Sequence, residues 1–387
     1  MSKRFVYVLT LVCCMGIARA DDSVPDFEWQ LNGYVKDLVT TSFLHPANGL
    51  PTDNLIHNRI NFKGYWKSKL TGALEIRNRL FTGYSVKNFQ GFVDYVDNEL
   101  PNTVDMSATL DKSPDVIAQS RIDRLYIDWR RNKFELTAGR QRINWGIALA
   151  WNPNDIFNAY SFFDFDYEER PGSDAIRVQY QYGTSSGLEA AVRTWVKGDG
   201  PAAACRWKFN LKGYDFQVIT GTINQYAVWG GGWAGNIKTS GFKGEFSFFH
   251  PLVSDTVHTF SASATCMWDY TLPKGQYITL GVLYQNQGLS GASNLNLLNF
   301  NVSAQSLSPF QFTAMGQMMF PVTPLINAGG ALMYSPAGNT LFLNPTFSWS
   351  VKENIDLSLV GQWLYVKWNE KYRSGAKYMF LRMKWNF

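Results

Sequence analysis

Basic side chains recur at short, regular spacings in this sequence: Arg59 and Lys63, Arg77 and Arg79, Arg140 and Arg142, Arg206 and Lys208. Two or four residues apart on an extended chain they share one face, because successive strand side chains point to opposite sides. Arg124, Arg130, Arg177 and Arg193 take the same polar parity in their own segments. Guanidinium groups ranked on one surface concentrate anions and hold carboxylates; being always protonated, they make poor general bases. Histidine could serve as a base, and there are four: His45, His57, His250 and His258. His45 and His250 each precede a proline in a turn-like context. His258 falls on an apolar-parity position near a strand end, and His57 on the polar face near a rim. No serine or carboxylate constellation stands beside any of them, and no metal spacing, phosphate-binding glycine loop or hydrolase elbow is present. The chemistry on offer is recognition of charge, with neither catalytic residue, cofactor nor metal expected.

The elements that carry these side chains follow from composition and period. Of 387 residues, 45% are hydrophobic, 16% aromatic and only 17% charged, which excludes a disordered chain. Beyond residue 20 no apolar run reaches about 18 residues, which excludes membrane-spanning helices. Residues 1–20 read as a secretory signal: Lys3 and Arg4, an apolar stretch from Phe5 to Ile17, and Ala18-Arg19-Ala20 as cleavage site. Losing Lys3, Arg4 and Arg19 takes 36 basic residues to 33 against 31 acidic ones, so no nucleic-acid footprint remains. Cys205 and Cys266 lie on separate candidate strands and are expected to be free.

Alternation is most extended at the C-terminus. Met379, Leu381, Met383, Trp385 and Phe387 alternate with Tyr378, Phe380, Arg382, Lys384 and Asn386 over the length of a tilted membrane-crossing strand. In this the chain resembles Gram-negative outer-membrane proteins, whose last strand ends in phenylalanine. The resemblance implies that Phe387 and Trp385 form the signal read by the barrel-assembly machinery, with outer-membrane lipid as the surroundings. The same period predicts strands at 27–44, 54–66, 69–82, 120–130, 133–143, 174–183, 186–197, 203–211 and 214–223. Their connections alternate long and short, as in a barrel with both termini in the periplasm. The two halves of the chain stay in phase only if the glycine-rich residues 225–236 form a further strand. The expected fold is therefore all-β: residues 21–387 as a single transmembrane antiparallel β-barrel of about 18 strands, with 16 as the alternative.

A ring of that size leaves an aqueous lumen. Inward parity places Arg59, Arg77, Arg79, Arg124, Arg130, Arg177, Arg193 and Arg206 on one wall, with Glu75, Asp128, Glu135 and Glu189 among them. The C-terminal half reads as Ser, Thr, Asn and Gln. The arginines either enrich anions or pair with loop acids and pin the loops; acids are plentiful in 83–119 (Asp94, Asp97, Glu99, Asp105, Asp111, Asp115) and in 143–173 (Asp155, Asp164, Asp166, Glu168, Glu169). Segment 143–173 is the candidate inward-folded constriction, because Trp145, Trp151, Phe157, Tyr160, Phe162, Phe163, Phe165 and Tyr167 need something to pack against. Asn152-Pro153 is expected to begin a short helix there. The stretch GRQRINWGIALAWNPNDIF resembles a motif of outer-membrane channels that include the alginate-export-like barrels, implying a basic-lined channel. Arg140 and Arg142 fall on the apolar parity of Phe134, Leu136 and Ala138, so either a bulge at Gly139 turns them inward or they stand above the membrane; the bulge is the expectation. Three functions follow: a porin-like channel for small hydrophilic, anionic solutes; an export or assembly channel for an acidic polysaccharide; and, least supported, a barrel enzyme.

Overall fold

The computed structural model describes residues 26–43, 49–97, 103–159, 172–196, 200–254, 258–289, 302–368 and 371–387. The expected signal segment, His45 and the residues from Tyr160 to Glu169 lie outside them. Among the described residues the chain forms nineteen strands and two short helices. The first group is β1 (Phe27–Ser42), β2 (Thr52–Trp66), β3 (Leu70–Gly83), α1 (Tyr84–Asn88), α2 (Phe92–Asp97), β4 (Ser107–Lys112), β5 (Val116–Arg131) and β6 (Phe134–Gln141). Next come β7 (Ser173–Gln181), β8 (Gly187–Val196), β9 (Gly200–Leu211), β10 (Tyr214–Ile223), β11 (Tyr226–Ile237), β12 (Ser240–Pro251) and β13 (Ser261–Thr271). The last are β14 (Tyr277–Gln285), β15 (Phe312–Thr323), β16 (Ile326–Ser335), β17 (Thr340–Lys352), β18 (Ile355–Trp368) and β19 (Lys371–Asn386). His250, expected in a loop, sits inside β12.

Strands pair antiparallel in sequence order, except that β3 pairs with β5 past β4, and β1 closes on β19 from Tyr34 opposite Asn386 to Ser42 opposite Tyr378. Without β4 this is a closed ring of 18 strands. Closure removes the free edges that an open sheet would present. The period-two pattern explains which way the ring faces. Trp29, Ile176, Val192, Leu280 and Met383 stand outward, more than half exposed, while Lys36, Arg59, Arg77 and Glu189 on the alternate positions are buried inside. Hydrocarbon is the solvent that such an outer belt fits.

One end of the ring carries short turns such as 132–133, 212–213 and 238–239; the other carries the long connections. Short connections occur on that side too: Asn224-Gln225, both left-handed (φ 48° and 68°), make a two-residue hairpin between β10 and β11. β11 is the glycine-rich strand that keeps the two halves in phase.

β4, from a connection expected to be loop, has a local cause. β6 is only eight residues long, because the chain leaves the wall after Gln141. That frees the upper edge of β5, and β4 pairs with it from Ser107 opposite Arg121 to Lys112 opposite Ile117.

Candidate functional site in the barrel interior

The inner face divides into two unlike halves. From β7 round to β19 nearly every strand contributes a buried apolar or small residue. Ala175, Ala191, Ala202, Ala204, Ile219, Val228 and Phe249 lie beneath Ile143, Trp145, Ile156 and Phe157. Met267, Leu283, Met315, Met333, Phe342, Leu364 and Ala376 lie beneath Ala148, Ala150, Trp151 and Leu307. Two non-strand segments, 142–159 and 302–310, thus cover this half from within. The C-terminal wall keeps the neutral-polar residues expected from the sequence, with Ser263, Thr265, Thr279, Gln285, Thr313, Ser335, Ser358 and Gln362 buried on it; a row of Met, Leu and Phe runs among them, and the two segments pack against that row. The opposite arc, β19 and β1 to β6, carries Lys36, His57, Arg59, Arg77, Arg79, Gln119, Arg121, Asp123, Arg124 and Asp128, all buried.

Carboxylates from the wall itself order the charged arc. Arg59 donates to Asp123 at 2.5 Å and to Glu75 at 2.7 Å, and Arg77 approaches the same Asp123 at 3.2 Å. Arg79 donates to Gln119 and lies over the Phe81 ring. Arg124 donates to the Asp123 carbonyl. Nearer the short turns, Arg130 pairs with Asp128 and Glu135, and Arg177 with Glu135. Lys384 sits 4.4 Å over the Tyr34 ring, with Lys36 on the same ring at 5.4 Å. Among the described residues, Asp115 of the long connection pairs with Lys87 of that connection; of the other loop acids expected to face the arginines, Glu99, Asp164, Asp166, Glu168 and Glu169 lie outside the described residues.

Asp123 and Arg121 were missed by simple parity, and the reason is a register shift. Ile76 pairs with Ile122 while Glu75 pairs with Arg124, so Asp123 is an extra residue on β5. Above it Gln119, Arg121 and Asp123 share the inward face; below it Arg124 and Asp128 do. The sequence signal is two adjacent charges, Asp123-Arg124, where the apolar set jumps from Ile122 to Leu125.

Segment 142–159 is moored to the opposite half by the wall's polar side chains. Trp145 Nε1 donates to Glu189 at 2.8 Å, and the Trp145 carbonyl accepts from Gln217 at 2.7 Å. Arg206 pairs with Glu189 and lies over the Trp145 ring. Glu245 accepts from the main-chain N–H groups of Ile147, Ala148 and Asn154. Ser247 donates to the Pro153 carbonyl at 2.9 Å, and Asn154 Nδ2 to the Gly231 carbonyl at 2.8 Å. The glycines of β11 make this approach possible. A Cβ on Gly230 would stand 2.7 Å from Asn154 Oδ1, and one on Gly232 would stand 2.9 Å from Ile147 Cδ1. The expected helix at Asn152-Pro153 is a single turn instead, closed by Asp155 N on the Asn152 carbonyl. Asp155 is turned into the segment, where its carboxylate accepts from Trp145 N at 3.4 Å.

Arg193 donates to Asn224 at the hairpin. Arg140 departs from expectation. Gly139 does take φ +116°, yet the ladder runs unshifted through Tyr126–Gly139 and Leu125–Arg140, so no bulge turns the side chain inward. Its guanidinium pairs with Asp174 at 2.7 Å and donates to the carbonyls of Ile122 and Val104. Val104 belongs to the connection folded over the top of the short β6, and neighbouring Thr103 bonds Thr194 of β8. Arg142 lies half-buried at the root of segment 142–159. At the chain end, Phe387 exchanges two main-chain bonds with Gly33, and its ring lies 5.5 Å from that of Trp385. Cys205 and Cys266 are both free.

No family model matches this chain, and no curated relative does. Solved structures do. The chain is similar to Pseudomonas aeruginosa OccK5 (OpdH) at 10% identity and TM-score 0.62, over 93% of this chain and 98% of that one. It is similar to Pseudomonas aeruginosa OpdK, solved with vanillate, at 8% identity and TM-score 0.58, with the same two coverages. A BenF-like porin from Pseudomonas fluorescens Pf-5 gives 9% identity and TM-score 0.58, again over 93% and 98%. At such identities the likeness is one of fold: the chain has the closed antiparallel barrel of these outer-membrane porins.

Proposed function

We propose that this chain is an outer-membrane porin-type channel that passes small hydrophilic solutes, and that anions are favoured. The observation that carries the reading is the divided interior. Segments 142–159 and 302–310 cover the apolar half, which leaves the charged arc from β19 to β6 as the polar side of the path. In this reading segment 142–159 is the constriction, and Arg59, Arg77, Arg79 and Arg124 set the field within it. The OpdK neighbour was solved with vanillate, a small carboxylate, which is the kind of solute such an arc would suit. Outer-membrane lipid surrounds the belt, and the barrel-assembly machinery inserts it through the Phe387 end.

The test is conductance in planar bilayers. The full chain should give ohmic currents whose reversal potential in a potassium chloride gradient favours chloride. Replacing Arg77, Arg79 and Arg124 together by glutamine should shift that potential toward potassium. A folded triple variant with an unchanged reversal potential rules out the basic arc as the selectivity element. A folded wild-type barrel that passes no current rules out the channel.

A further inference from the structure

We infer that Glu245 is the positioning residue of the constriction: this one carboxylate on the wall fixes how far segment 142–159 stands from β12, and with it the width of the path. The inference rests on reading 142–159 as the constriction. Glu245 is the single carboxylate of β12 and is 1% exposed. Its three donors lie 91 to 98 residues upstream and are all main-chain N–H groups. Oε1 takes Ile147 and Ala148, the latter at 2.5 Å, on one arm of the turn; Oε2 takes Asn154 at 3.0 Å on the other. The other moorings, Glu189 and Gln217 on Trp145 and Ser247 on Pro153, each grip one arm only. Glu245 therefore clamps both arms, with residues 149–153 held between them.

The chemistry is specific to a carboxylate. Two acceptor oxygens can take three N–H groups from two directions, and bonds to an ionised acceptor are about twice as strong as neutral ones. An amide of the same shape has one acceptor oxygen and would aim an N–H at a donor. Among the described residues no lysine or arginine pairs with Glu245; the nearby Lys243 is engaged by Asp269 at 3.0 Å. The charge is held by main-chain dipoles of the segment, so carboxylate and segment position each other. Gly232, opposite Glu245 on β11, keeps the approach open: a Cβ on it would stand 2.9 Å from the Gly244 carbonyl and the same distance from Ile147 Cδ1.

The experiment uses full-length Glu245→Gln and Glu245→Asp, each in a background with both mature cysteines replaced by serine. Ala150→Cys is added as a reporter, because Ala150 lies in the segment, 1% exposed, on the side packed against the wall. Two readouts are taken on protein shown to be folded by its heat-modifiable migration: single-channel conductance, and labelling of residue 150 by a charged, water-borne thiosulfonate. Glu245→Gln should raise conductance about twofold, or add flicker to a higher level, and speed labelling about tenfold. Glu245→Asp, shorter by one methylene, should fall between. A folded Gln variant with wild-type conductance and labelling overturns the inference. Should Gln fail to fold, a folded Asp variant with wild-type values does the same. If the parent barrel conducts nothing yet labelling still accelerates, Glu245 keeps its role and the channel reading falls. A variant that only melts earlier, with both readouts unmoved, makes Glu245 a stabilising residue and overturns the inference as well.

Discussion

Asp123 offers the sharpest test of the charged arc. It is the carboxylate shared by Arg59 at 2.5 Å and Arg77 at 3.2 Å, so Asp123→Asn removes one negative charge from the arc and preserves side-chain shape. Arg59 keeps Glu75 at 2.7 Å, which should hold the fold. A unit charge about 8 Å from a conducting ion in water changes its energy by roughly 0.5 kcal/mol; one Debye length of screening at 0.15 M cuts that to roughly 0.2 kcal/mol. Local anion concentration then rises about 1.4-fold and cation concentration falls about as much, so the chloride-to-potassium permeability ratio should about double. At 0.01 M the Debye length is about 30 Å and the same arithmetic gives about fourfold. Reversal potentials at the two salt concentrations, on wild type and variant, measure both numbers. A folded Asn variant whose ratio is unchanged at 0.01 M, or shifts toward potassium, refutes the idea that this arc sets selectivity.

Three further outcomes are expected. Gly232→Val should push segment 142–159 off β11, because the added carbon meets Ile147 and the Gly244 carbonyl at once; conductance should rise and trypsin cleavage within the segment should speed up. Val192→Arg places a cation on the outward face in mid-strand, where a charge costs about 2–4 kcal/mol; urea midpoints in lipid vesicles should fall accordingly, and an unchanged midpoint would contradict the lipid-facing assignment. Phe387→Ala removes the ring over Gly33 while leaving both main-chain bonds, so the finished barrel should be nearly as stable but appear in cells at lower yield; equal amounts of folded wild type and variant in outer-membrane fractions would argue against the assembly role.

How much of this was legible beforehand varied with the kind of interaction. Strand positions were, because a half-buried strand writes its two faces into alternate residues. The expected 214–223 is β10 itself, and 54–66 and 120–130 fall inside β2 and β5. Even the glycine-rich β11 could be placed, since a barrel must return its chain to the correct side. What alternation could not show was where it slips. The extra residue at Asp123 changes parity within one strand, and only the pairing of Glu75 with Arg124 and of Ile76 with Ile122 reveals it. At Arg140 the opposite occurred: two arginines on the apolar parity beside Gly139 suggested a bulge, yet the ladder held its register and a distant Asp174 and Val104 met the charge.

The sequence by itself determined a ring with an apolar outside, a polar inside and one short-turn end, because those features depend on local period and turn length. Tertiary structure decided the partners. That Arg59 meets Asp123, that Met267 and Phe342 pack with Trp151, and which carboxylate holds the inner turn all depend on contacts between residues far apart in the chain. Such contacts are fixed by the curvature of the closed sheet and by the room its glycines leave, and neither has a period to read.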